Sequence, residues 1–204
     1  IPEIQISLKD YKSKRSKAKS AWNKHNRLLK KFYFIERIVR PKQFQNEQGR
    51  KEDFELQDAI KDLFNSIGIK SNVPSVLADF DVKSSFDGYK WGIEVKNGGM
   101  PSENDMLQAH RYAVRIDRVL EPLLIWNNGT TNQEFDKPRI TDAEKNKYGI
   151  ITTKELLYGY IKLKTGKITF PEFIDQLKKP GLIKYSLRGM GKIHKGNSKN
   201  SKAS

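Results

Sequence analysis

Ala78-Asp79-Phe80-Asp81-Val82-Lys83, followed by Phe86-Asp87-Gly88-Tyr89 and Gly92-Ile93-Glu94-Val95-Lys96-Asn97, reads as two strands joined by a tight turn. Asp87-Gly88 suits a two-residue hairpin loop, because both central positions of a type I′ turn need positive φ. With that turn, Asp81 stands opposite Glu94 and Asp79 opposite Lys96. Side chains alternate along a strand, so all four are expected on one face, with Ile93 and Val95 on the other. Opposed carboxylates repel, so a sheet that keeps such a cluster calls for a compensating cation. A divalent metal is the natural one: Mg²⁺ is commonly held by one or two carboxylates plus substrate phosphate oxygens.

The Glu-x-Lys triplet alone says little in a chain that is 31% charged. Its plainest reading is a strand edge whose charges face water, and the flanking residues change that. Residues 52–67 carry Leu56, Ala59, Ile60, Leu63, Phe64 and Ile67 at helical spacing, with Gly68 as a cap. After the lysine, Ser102 is a good N-cap for a helix of about 18 residues. That helix contains Gln108-Ala-His-Arg-Tyr112.

Acid, Glu-x-Lys, a preceding helix and a following Gln-x-x-x-Tyr together resemble the PD-(D/E)xK nuclease superfamily, over roughly residues 50–127. The resemblance implies an α/β protein with a restriction-endonuclease-like core, a central mixed sheet flanked by helices. It assigns Asp81 or Asp79 as the first acid, Glu94 as the second and Lys96 as the lysine. Glu55 matches a glutamate that many members carry near the start of the first helix. The proline that usually precedes the first acid is absent, since Ala78 precedes Asp79 and Phe80 precedes Asp81. The motif therefore leaves the two aspartates open, and the turn register favours Asp81.

Charge is distributed unevenly. The net charge is +15, yet residues 32–177 hold 21 basic and 22 acidic side chains. Residues 9–31 carry ten Lys/Arg against Asp10, and residues 178–204 carry eight against no acid. A neutral core with two cationic ends suits a polyanion, because neutralising phosphates releases counterions. Solvated tails that bind nothing are the bland alternative. Residues 192–204, rich in Lys, Ser, Asn and Gly, read as a disordered tail. Lys24, Arg27, Lys30 and Lys31 are the expected nucleic-acid contacts near the start, beside Trp22, Phe32, Tyr33 and Phe34. Those rings either stack on bases or anchor the helix to the core. On the second helix Arg111 and Arg115 are placed to reach phosphates, or to pair with Glu103 or Asp117 at the surface.

The organisation expected is a basic helical extension over 1–49, a nuclease core over 50–188 and a basic flexible tail over 189–204. Within it, residues 12–40 read as helix ending before Pro41, and 43–50 as a polar connector. Leu123-Leu124-Ile125-Trp126 and Gly149-Ile150-Ile151 read as strands. Thr152 to Glu155 and Thr169 to Glu172 have capping-box spacing, so two helices are expected before Pro180-Gly181. There are no cysteines, and His25, His110 and His194 are scattered, which argues against zinc. No apolar run approaches a membrane span and nothing reads as a secretory signal. A cytoplasmic or nucleoid-associated location is expected. The chain opens Ile1-Pro2 rather than on methionine, which reads as a trimmed or processed start.

The resemblance implies metal-assisted phosphodiester hydrolysis. Asp81, Glu94 and the Val95 carbonyl would hold Mg²⁺ or Mn²⁺, with Asp79 or Glu55 assisting. Lys96 would orient the attacking water or stabilise developing charge. Gln108 and Tyr112 would position the DNA strand or the lysine. A DNA endonuclease of restriction, defence, phage or mobile-element type is expected. A junction resolvase or repair nuclease, and a non-catalytic nucleic-acid-binding protein, stay open. A homodimer fits the first reading, because cutting both strands usually takes two active sites.

Overall fold

A computed structural model describes the backbone of residues 2–40, 44–45, 51–52, 54–74, 80–116, 120–129 and 133–185. It describes their side chains except at 2–9, 29, 31, 44–45, 51–52, 109 and 112–116. Asp79 and the tail over 189–204 therefore lie outside the described residues, and so do the side chains of Lys31, Tyr112 and Arg115.

The hairpin forms as its sequence dictates. β4 (Val82–Phe86) pairs antiparallel with β5 (Tyr89–Asn97), from Phe86 opposite Tyr89 to Val82 opposite Ile93. Asp87 and Gly88 both adopt positive φ, 49° and 76°, as a type I′ turn requires. Regular pairing stops at Val82, and Asp81 lies in a bend just before it.

Around the hairpin runs a six-stranded sheet in the order β3-β4-β5-β6-β7-β8. β3 (Lys70–Asn72) pairs antiparallel with β4. β6 (Glu121–Asn127), β7 (Gly149–Thr152) and β8 (Gly181–Leu182) continue from β5 in parallel. The two strands read as apolar runs are thus the buried centre of the parallel half, where both faces are covered. Lying outside this sheet, β1 (Phe44–Gln45), inside the segment expected as a connector, pairs antiparallel with β2 (Lys51–Glu52) just beyond it.

Each face of the sheet has its own core. α2 (Phe54–Ser66) and α5 (Thr153–Lys164) cover one face with α6 (Phe170–Leu177) and the end of α1 (Pro2–Val39). Leu56, Ile60, Leu63 and Phe64 of α2 pack there with Val82, Ile93 and Val95. α3 (Glu103–Ile116) and α4 (Lys137–Lys145) cover the other, where Met106 and Ala143 meet Leu124, Trp126 and Ile150. Both expected capping sites are real. Thr152 accepts from the Glu155 N–H, and Thr169 with Glu172 forms a complete capping box.

Several expectations need correction. α1 starts at Pro2 rather than residue 12, because residues 3–40 contain neither Gly nor Pro to stop a helix. At 38 residues it is about 57 Å long. Glu52 belongs to β2, so α2 starts at Phe54. α3 is described over Glu103–Ile116, and residues 117–119, where the helix of about 18 residues read from its cap would end, lie outside the described residues. Of the aromatics along α1, Phe34 is buried in the core while Trp22, Phe32 and Tyr33 are exposed. The anchoring reading holds for Phe34. Among the described residues, no helix is long and apolar enough to cross a membrane.

Candidate active site

The site forms where β4 begins and β5 approaches its C-terminal end. The Asp81 carboxylate accepts a hydrogen bond from the Val95 N–H at 2.7 Å on Oδ2, and one from Gln57 Nε2 at 2.8 Å on Oδ1. Regular antiparallel alternation makes Val95 the next β5 residue to face β4 beyond the Val82/Ile93 pair. The Asp81 side chain takes its N–H where the ladder has ended, and this fixes the acid beside Glu94. The main chain enters the bend through Phe80, whose ring covers Gly92. A Cβ on Gly92 would lie 2.4 Å from that ring.

Glu94 is 3% exposed. Lys96 Nζ lies 3.1 Å from Glu94 Oε1 and 3.2 Å from Asp105 Oδ1, so one ammonium bridges two carboxylates. Asp105 is held in turn by Ser102, whose N–H and hydroxyl donate to its Oδ2 at 2.8 and 2.9 Å. Ser102 caps α3 as expected, accepting from the Asp105 N–H at 3.3 Å.

The electrostatics follow from burial and crowding. Burial first and the neighbouring Asp81 second push the Glu94 carboxyl up to about 7, against the counter-pull of Lys96. For Lys96, burial alone acts downward. Glu94 and Asp105 outweigh it and hold the ammonium above its ordinary value. Burial pushes Asp105 upward, but hydrogen bonds from Ser102 and the pull of Lys96 hold its carboxyl below the usual range.

Of the residues singled out from sequence, Asp81, Glu94, Val95 and Lys96 come together. Glu55 is half-buried in the first turn of α2. Gln57, about 200° further round that helix, makes the contact to Asp81. Gln108 is half-buried one turn beyond Asp105 on the same face of α3, and Arg111 is exposed. Lys24, Arg27 and Lys30 are exposed on α1, which packs against α2 and α5 across the sheet from α3. They are not part of the carboxylate cluster.

Two partners escape the motif. Gln57 is a polar residue at the same helical phase as Ile60 and Phe64, and that break in an apolar stripe was its signal. Asp105 was visible only as the third residue after a serine cap. Its nearness to Lys96 follows from topology, because the chain leaves β5 at Asn97 and enters α3 at Glu103.

The molecule is an α/β protein with a restriction-endonuclease-like fold, a mixed six-stranded sheet flanked by helices. It is similar to the restriction endonuclease FokI bound to DNA, with a TM-score of 0.51 and 16% identity over 76% of this chain and 30% of that one. Another structure of the same endonuclease aligns with a TM-score of 0.48 and 16% identity, over 69% of this chain and 29% of that one. A protein of unknown function aligns at 0.42 and 12% identity, over 62% and 79%. The chain thus spans less than a third of the endonuclease's length. No protein-family model matches the sequence, and no curated protein does.

Proposed function

We propose that the chain is a divalent-metal-dependent DNA endonuclease of restriction, defence or mobile-element type, hydrolysing phosphodiester bonds. The observation that carries this reading is the buried Glu94 beside Asp81, with Lys96 Nζ at 3.1 Å from Glu94. A carboxylate withdrawn from water with a second, half-buried one beside it is costly to a folded protein. Their retention at the mouth of a restriction-endonuclease-like sheet favours use over structure.

The donor set fits a hard cation. Asp81 and Glu94 supply carboxylate oxygens, and the Val95 carbonyl points to the same side of β5 as its N–H, which faces Asp81. Among the described residues no three acids or histidines are placed to hold one ion between them. Two carboxylates and a carbonyl leave positions for water and phosphate oxygens, which suits Mg²⁺ or Mn²⁺. When bound, such an ion supplies positive charge to a phosphoryl oxygen and lowers the pKa of water.

The remaining chemistry belongs to the chain. Gln57 and the Val95 N–H hold Asp81 from two sides and fix its orientation. Lys96 donates to the attacking water or to the charge that develops on the phosphate. Gln108, on the Asp105 face of α3, steadies that lysine or the strand. The exposed cations of α1 and Arg111 serve the duplex backbone by charge rather than by sequence. Incubation with DNA and Mg²⁺ or Mn²⁺, against a chelator control, tests the reading.

A further inference from the structure

We infer that Asp105 is a positioning residue: it is the alternative anion onto which Lys96 turns when a cation occupies Glu94. The inference rests on the nuclease reading and adds a residue to it. Lys96 Nζ is almost equidistant from Glu94 Oε1 and Asp105 Oδ1, at 3.1 and 3.2 Å. An ammonium and a divalent cation on the same carboxylate repel each other, so loading Glu94 requires Lys96 to yield part of that contact. Without a second anion, a lysine 28% exposed would lose its partner inside the protein, or refuse to move and exclude the cation.

Asp105 removes that conflict because it is itself held by two hydrogen bonds. Its Oδ2 is occupied by both the N–H and the hydroxyl of Ser102, leaving Oδ1 for the ammonium. The fork therefore has one fixed prong, on α3, and one prong on β5 that is released to the cation. Lys96 stays over the reacting position instead of swinging to solvent.

The test is a double-mutant cycle read by calorimetric titration of Mn²⁺ into the full chain. Asp105→Asn keeps a side-chain oxygen to accept from the Ser102 N–H and hydroxyl, and Ser102 still caps α3, so the helix start survives the change. In the Lys96 background it leaves the lysine on Glu94 alone, and Mn²⁺ affinity is expected to fall about ten-fold, the coupling typical of groups in one network. In the Lys96→Met background the competitor is gone. There the same substitution is expected to cost roughly two-fold at most, the remaining effect of a nearby charge. Equal losses in the two backgrounds would overturn the inference while leaving the metal site standing. An absence of Mn²⁺ binding to every variant, the unsubstituted chain included, would remove the nuclease reading and this inference with it.

Discussion

Asp81 is tied to the Val95 main chain as well as to the Gln57 side chain: its Oδ2 accepts the Val95 N–H at 2.7 Å. The first acid of the hairpin is therefore tied to the strand that carries the second acid and the lysine. Glu94 and Lys96 flank Val95 in sequence, so this hydrogen bond helps set the spacing of Asp81 from both. The bond also explains why the register of β4 and β5 matters beyond packing.

Glu94 is expected to trade stability for function. In Glu94→Gln the buried charge and its repulsion from Asp81 disappear, while the fold keeps a side chain of the same shape. The metal-free variant should melt no lower than the parent, with a gain of roughly 1 kcal/mol. It should bind Mn²⁺ at least ten-fold more weakly and cleave no DNA. Thermal melts and metal titration check both halves, and a strongly destabilised variant would speak against the raised carboxyl.

A pH dependence follows with a definite sign. The Glu94 carboxyl is pushed up to about 7 in the folded chain from an ordinary value of 4.5. The folded state thus binds more protons than the unfolded one between those values, and stability falls as pH rises through that window. Denaturant unfolding of the metal-free protein should lose on the order of 1–3 kcal/mol from this group. Mn²⁺ affinity should move the other way, strengthening up to and past pH 7, since the ion needs the deprotonated carboxylate. Stability flat across the window would place the proton elsewhere.

Gly92→Ala tests how the entrance to β4 is held. The new methyl group meets the Phe80 ring, and overpacking of this kind costs about 1–3 kcal/mol. Because Phe80 precedes Asp81, displacement of the ring should also shift the acid and lower Mn²⁺ affinity. Gly92→Ala with Phe80→Leu should recover part of both. Unfolding midpoints and metal titration measure them, and full metal affinity in a destabilised Gly92→Ala would separate Phe80 from the site.

Much of this was legible in the sequence, and the reasons are local. Asp87-Gly88 fixed the hairpin register because few other dipeptides accept positive φ twice. Thr152, Thr169 and Ser102 announced helix starts by hydroxyl capping. β3 and β8 were missed because two or three residues carry no periodicity, and their pairing is imposed by neighbours. α4 was missed because Ala143 is its one buried residue, leaving no apolar stripe to read. At the site, the motif named the residues of the strand, whereas Gln57 and Asp105 come from helices whose approach only the folded chain defines.

The basic helix should act through charge. Replacing Lys24, Arg27 and Lys30 by Ala removes three exposed cations from α1 without touching the buried Phe34 and Ile38. DNA affinity should fall, and the slope of log K against log salt should become shallower by up to about 2.7 if all three meet phosphates. Fluorescence anisotropy at several salt concentrations checks this. An unchanged slope would make the helix a bystander.

The most direct test is cleavage itself. Linear, branched and single-stranded DNA are incubated with the parent chain and with Lys96→Ala, in Mg²⁺, in Mn²⁺ and in chelator, both proteins having first been checked for fold. The expected result is phosphodiester cleavage by the parent only with metal, and none by Lys96→Ala under any condition. Cleavage that survives chelation, or a folded Lys96→Ala that cuts at the parental rate, would contradict the assignment of Asp81, Glu94 and Lys96 as a metal-dependent nuclease site.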